Sequence, residues 1–137
     1  MFAVVALRYI EEIARDVWKD GTLAGSAKKL GREINDGIQN YGIFPHPKYG
    51  PIYAYETDGM GHYNLMDDAN VPSLLSIPYL QYQAAEDPVC AHTRRFLLSR
   101  DNPWFFEGSC AKGIGSPHTS EDYIWHIGLI MQALTST

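Results

Sequence analysis

The sequence has no run of Lys and Arg; Arg94-Arg95 and Lys28-Lys29 are isolated pairs on expected helices. With a net charge of -5, it lacks the basic face that phosphate backbones demand, which excludes a nucleic-acid partner. Nowhere do about 18 apolar residues follow one another, the minimum for a membrane-spanning helix. The apolar opening Met1-Phe2-Ala3-Val4-Val5-Ala6-Leu7 lacks the basic flank of a signal peptide, and nothing in the chain fixes a compartment. Cysteine is scarce: Cys90 and Cys110 have no metal-type spacing. There is no Walker loop and no Gly-x-Ser-x-Gly elbow, which removes the phosphate-loop and Ser/His/Asp hydrolase classes. Repeats, low-complexity tracts and linkers are also missing.

What is present is an ordinary globular balance. The chain has 137 residues, 45% hydrophobic and 20% charged, enough for one domain or part of one. Nine Tyr, three Trp and five Phe sit mostly beside Gly, Pro, Asn or Asp. Aromatic faces next to polar groups suit sugars, whose C–H faces stack while their hydroxyls need hydrogen bonds.

Apolar spacing predicts a helix over 2–18, with Phe2, Ala6, Tyr9, Ile10, Ile13 and Val17 as its stripe. A turn at Lys19-Asp20-Gly21 leads to a second helix, from an N-cap at Thr22 to about Tyr41. Its stripe is Leu23, Ala24, Ala27, Leu30, Ile34 and Ile38, and Gly42 is expected as a left-handed stop. Pro45, Pro47 and Pro51 forbid a helix next. A β-hairpin is expected near residues 52–66, turning at Asp58-Gly59-Met60-Gly61. A short helix bounded by Asn70, Pro72 and Pro78 follows. Asp87-Pro88 opens another helix through Leu98, residues 102–106 are extended, and residues 108–116 form a loop. Thr119 or Ser120 caps a last helix along Ile124, Ile127, Met131 and Leu134. No cap precedes Phe2, and no Gly or Pro stop precedes Thr137. These are the marks expected of part of a longer all-α domain, a toroid of helical hairpins.

Two polar clusters carry the candidate chemistry. Asp67 and Asp68 sit between the hairpin and an apolar run. Adjacent residues of an extended segment point apart, so this pair is poorly placed to flank one glycosidic bond as acid and base. An equally good reading makes one Asp an acceptor for amides at a helix start and the other a solvated or ion-paired group. Gly113-Ile114-Gly115-Ser116-Pro117-His118-Thr119 is the second cluster. A metal set of His62, Asp67, Asp68 and His118 has no recognisable spacing.

Three stretches together carry a resemblance. They are Tyr53-Ala54-Tyr55-Glu56-Thr57-Asp58-Gly59 leading to Met66-Asp67-Asp68-Ala69-Asn70-Val71-Pro72-Ser73-Leu74-Leu75, then Asn102-Pro103-Trp104-Phe105, then Gly113 to Thr119 followed by Tyr123-Ile124-Trp125. In order and spacing the chain resembles glycoside hydrolase family 125. These are metal-independent exo-acting α-1,6-mannosidases and include fungal proteins described as meiotically up-regulated. The resemblance implies a mainly α fold, an (α/α)6 barrel of which residues 1–137 form one incomplete catalytic-domain fragment. It implies inversion with no metal or cofactor, and a mannose-containing oligosaccharide or glycan as partner. The family's acid lies in an Arg-Pro-Ser-Asp-Asp segment before the residues matching Phe2-Ala3-Val4. Its base lies in a His-Glu-Ser segment beyond those matching Leu134-Thr135-Ser136. Neither segment occurs here, so no catalytic residue is expected in this chain. Asp67, Asp68, Asn70, Ser116 and His118 are expected to bind substrate, and exposed helix faces to drive self-association. The alternative is a non-catalytic carbohydrate-binding remnant.

Overall fold

A computed structural model describes residues 1–136. Helix α1 (Phe2–Ile13) continues as a π-helical turn (Ala14–Trp18), stopped by left-handed Lys19 at φ 56°. Helix α2 (Gly21–Tyr41) returns beside it. Its N-cap is Asp20 and not Thr22: Asp20 Oδ1 accepts the Leu23 amide at 2.9 Å, a geometry in which a carboxylate satisfies an orphan helix donor. At the other end, Gly42 is not left-handed (φ -93°). Its amide donates to Ile38 O at 2.8 Å, and a Cβ on Gly42 would stand 2.8 Å from that same oxygen. Glycine is needed there for close approach and not for a positive φ.

The apolar stripe expected to be the core face of α1 is turned outward. Phe2, Tyr9, Ile10, Ile13, Val17 and Trp18 are all exposed, and α1 and its π turn bury Val4, Val5 and Ala14 instead. The reason lies on α2, which offers small residues: Ala24 and Ala27 are buried, and Gly31 lies against Leu7. The two helices come together through small side chains, and the bulky ones are left outside. Lys28 and Glu11 add an ion pair at 3.0 Å across the seam.

Three two-stranded antiparallel ribbons follow. Strands β1 (Ile43–His46) and β2 (Gly50–Tyr53) pair with Pro45 opposite Pro51. Proline cannot donate to a ladder, so two facing prolines are accommodated only where neither N–H is called on. The Tyr53 amide accordingly points off the ribbon and donates to Thr93 Oγ1 at 2.9 Å. The hairpin expected at 52–66 is present in shorter form, as β3 (Glu56–Thr57) and β4 (Tyr63–Asn64). Asp58 shapes its turn: Oδ1 accepts the Met60 and His62 amides at 2.8 and 3.1 Å. Helix α3 (Pro88–Leu97) is capped as expected, Asp87 Oδ1 taking the Val89 and Cys90 amides.

Two segments differ from expectation. Residues 70–86 form successive turns and no helix; Val71–Pro72 is a cis peptide. The bonds there have mixed spans: Ser76 amide to Ser73 O and Ile77 amide to Leu74 O reach back three residues, Leu80 amide to Ser76 O four and Tyr82 amide to Ile77 O five, and Pro78 has no N–H to carry a regular helical ladder on. Residues 108–116, expected as a loop, contain strand β6 (Lys112–Ile114), paired with β5 (Phe105–Glu107). Helix α4 (His126–Leu134) starts later than expected, with Trp125 at its N-cap and no side-chain cap bond.

The buried core joins Val4 and Val5 of α1, Ile52 and Tyr53 of β2, Leu74, Leu75 and Ile77 of the turns, Phe96 and Leu97 of α3, Ile114 of β6 and Met131 of α4, with Ile34 and Ile38 of α2 packed against it. The fold is mainly helical with small hairpins. One paired helical hairpin and two further helices are too few to close an (α/α)6 ring. No helix among the described residues is long and apolar enough to cross a membrane.

Candidate functional site

The corner at residues 67–76 is built around a carboxylate with no solvent contact. Asp67 is 0% exposed. Its Oδ1 accepts the Leu74 amide at 3.0 Å and its Oδ2 the Leu75 amide at 2.9 Å. Ser76 Oγ accepts the Ser73 amide at 2.8 Å and donates to Ser73 O. The turn after Pro72 is therefore held from outside by Asp67 and from inside by Ser76. Burial pushes the Asp67 carboxyl up to about 7, against the pull of its two amide bonds and with a further push from neighbouring Asp68.

Asp68 is 5% exposed and is closed on Asn70: its Oδ1 accepts the Asn70 amide at 2.7 Å and its Oδ2 the Asn70 Nδ2 at 3.1 Å. This Asx-type turn fixes the direction of the half-buried Asn70 side chain. Ser116 is 0% exposed; its Oγ accepts the His118 amide at 3.2 Å. Only His118 of the five expected site residues is openly exposed.

The backbone brings the two polar clusters together. The Ala69 amide donates to Gly115 O at 2.9 Å, and the Gly115 amide donates to Trp104 O at 2.8 Å. A Cβ on Gly115 would collide with Tyr123 O and stand 2.7 Å from Phe106 Cε2, so only glycine lets these strands meet. Trp125 donates its amide to Ile114 O and its Nε1 to Thr119 Oγ1. The three stretches that carry the sequence resemblance converge on one corner. His62 stays apart on the β3–β4 turn, paired with Asp58. Among the described residues no three His, Cys, Asp or Glu side chains are arranged to hold a metal.

Asn102 is the residue that residue-by-residue reasoning passes over. It is 1% exposed. Its Oδ1 accepts the Asp67 amide at 3.2 Å and the Trp104 amide at 3.3 Å, and its Nδ2 donates to Leu97 O at 3.1 Å. One amide side chain thus joins the end of α3, the approach to β5 and the corner. In the sequence it stands in the Asn102-Pro103-Trp104-Phe105 stretch that carries part of the resemblance, but its Asn-Pro dipeptide by itself reads equally well as an ordinary turn.

Beside the corner lies a cleft of about 190 Å³ lined by Met1, Phe2, Tyr55, Pro72, Ser73, Leu74, Ile77 and Leu80. A larger groove of about 360 Å³ between α1 and α2 shares no lining residue with it.

A buried carboxylate-amide corner thus lies beside an aromatic-edged cleft in a helical frame. The family model described as metal-independent alpha-mannosidase (GH125) matches residues 1–137. The chain belongs to this glycoside hydrolase family. It is 48% identical over 115 residues to the meiotically up-regulated gene 157 protein of Schizosaccharomyces pombe, covering 83% of this chain and 23% of that relative. It is also similar to a solved Streptococcus pneumoniae metal-independent alpha mannosidase, in a non-productive substrate complex with alpha-1,6-mannobiose. There the identity is 46%, the TM-score 0.94, and the coverage 98% of this chain and 32% of that one. The chain thus spans about a quarter to a third of the length of these relatives.

Proposed function

We propose that residues 1–137 form one incomplete portion of the catalytic domain of a glycosidase that releases terminal α-1,6-linked mannose with inversion. The carrying observation is the TM-score of 0.94 at 46% identity to the mannobiose-bound relative. Inversion needs one carboxylic acid at the leaving oxygen and a carboxylate behind a water, about 6.5–9.5 Å apart. Asp67 and Asp68 do not meet that need: both oxygens of each are already engaged by backbone or amide N–H groups. The acid and base come from segments outside this chain.

The portion present supplies the sugar-binding surface. Asn70 and His118 face hydroxyls, while the buried Asp68, Asp67 and Ser116 hold those groups in place. The test is titration of the chain with α-1,6-mannobiose, with product release followed in parallel. Binding without hydrolysis is expected, and Asp68→Ala, which frees the Asn70 side chain from its anchor, is expected to weaken it about tenfold. Hydrolysis by the chain alone would overturn the assignment of acid and base elsewhere. Absence of any saccharide binding would overturn the sugar-binding surface.

Self-association accompanies this reading. The outward stripe of Phe2, Tyr9 and Ile13 on α1 and Val17 on its π turn, with Ile127, Ile130 and Leu134 on α4, presents exposed apolar residues of the kind that drive association. The chain is expected to sediment as an oligomer at micromolar concentration. Tyr9→Glu with Ile13→Glu should shift it toward monomer without lowering helicity. A parent chain that is monomeric across that range would count against the reading.

A further inference from the structure

We propose that Tyr55 is a sugar-contacting residue, its ring forming the wall on which the C–H face of a mannose residue packs in the cleft beside the corner. This deepens the carbohydrate reading above and rests on it.

The backbone sets Tyr55 apart from its neighbours. Tyr53, two residues earlier, is 1% exposed within the core. Tyr55 follows where β2 has ended and β3 has not begun; its amide donates to Asn64 O at 3.0 Å and anchors the residue to the small hairpin. Its side chain is left 37% exposed at the edge of the cleft. The opposite wall is the turn of Pro72, Ser73 and Leu74, backed by Ile77. That wall is rigid, because Asp67 holds the Leu74 and Leu75 amides. A fixed apolar wall facing an aromatic ring is a slot.

Its size and chemistry select the occupant. At about 190 Å³ the cleft is smaller than the roughly 300–1,000 Å³ of drug-sized sites, and fits one ring better than an extended peptide or an acyl chain. Phe2, Pro72, Leu74, Ile77 and Leu80 make it apolar, while Ser73 and the Tyr55 hydroxyl add polar points. Partial burial, then Asp68, Asp67 and Glu56, raise the phenol above its ordinary range. It therefore stays a neutral hydroxyl that can both donate and accept. A ligand with an apolar face and a rim of hydroxyls matches this arrangement, and an anion does not. Pro72 and Ser73, which follow the Asp68–Asn70 turn closely in the chain, line the cleft.

The experiment compares the parent chain with Tyr55→Phe, Tyr55→Leu and Tyr55→Ala, each titrated with mannose and α-1,6-mannobiose and each checked for parent-like melting. Tyr55→Phe keeps the ring and should bind within about threefold of the parent; Tyr55→Leu keeps apolar volume without an aromatic face and should lose about tenfold, as should Tyr55→Ala. Parent-like binding by Tyr55→Leu overturns the stacking role, as does a Tyr55→Phe loss equal to that of Tyr55→Ala. If the parent binds sugar and all three variants match it, Tyr55 alone is wrongly assigned. If the parent binds no sugar, the carbohydrate reading fails and this inference with it.

Discussion

Asp67→Ala is expected to lower the melting temperature of the chain by about 10–15 °C. The substitution strands two amides, those of Leu74 and Leu75, that now donate to the carboxylate at 3.0 and 2.9 Å. Each buried N–H left without a partner costs roughly 1–3 kcal/mol, so the pair costs about 3–4 kcal/mol. The variant also has a pH signature. The folded Asp67 carboxyl sits at about 7 against an ordinary 3.8, chiefly through burial. A group whose value rises on folding stabilises fully below its unfolded value, and that stabilisation is lost as pH climbs through the folded value. From this group, then, the parent loses stability between about pH 4 and pH 7 by a few kcal/mol. The exposed acids Asp58, Asp101 and Glu107 act in the opposite sense. Their partners hold them below the ordinary range, so their contribution is lost only in more acidic solution. Chemical denaturation at about pH 4.5 and about pH 8, roughly the two ends of the Asp67 window, should show the Asp67→Asn deficit shrinking as pH rises. A deficit of the same size at both would refute the linkage, and unchanged melting of Asp67→Ala would refute the anchoring role.

Asn102→Ala is expected to cost about as much, for a different reason. Three backbone groups lose their partner at once: the Asp67 amide, the Trp104 amide and Leu97 O. All lie around a side chain that is 1% exposed, so water cannot readily replace the bonds, and a loss of roughly 3–5 kcal/mol follows. Asn102→Asp tests the assignment more finely. It keeps an acceptor for the two amides but removes the donor to Leu97 O and places an oxygen against an oxygen. It should therefore be destabilised too, and more strongly as pH rises and the new carboxyl ionises. Equilibrium denaturation of both variants checks this; an Asn102→Ala chain as stable as its parent would show that the three bonds carry no net stability.

Some of this structure is open to direct reading in the sequence. Asp87-Pro88 announces the start of α3 because the carboxylate and the missing proline N–H both suit a first helical turn. Asp58-Gly59 announces the β3–β4 turn. The motif order in residues 53–75, 102–105 and 113–125 identifies the family. Other parts are hidden for physical reasons. Proline argues against a strand until Pro51 lies opposite Pro45, which requires knowing the register. The stripe on α1 shows correct helical periodicity, but periodicity does not say which side the neighbour takes; the small residues of α2 decide that. In the corner, Asp67 and Asp68 look equivalent as letters. The fold gives one of them two backbone amides and the other an Asn side chain, because the partners lie seven residues on and two residues on. Asn102 acts on Asp67 across 35 positions, a relation that no local pattern encodes.

That distance bears on how the molecule assembles. The α1–α2 hairpin and the three ribbons each close over short stretches, and closing a short loop forfeits little chain entropy. The Asn102 bond to the Asp67 amide closes over a far longer stretch, and Gly115 reaches Ala69 over a longer one still. Contacts of such separation form late, after local pieces have reduced the disorder between them. The corner is thus the keystone of the folding sequence: it comes into being only when α3, β5 and β6 are already in position to receive it.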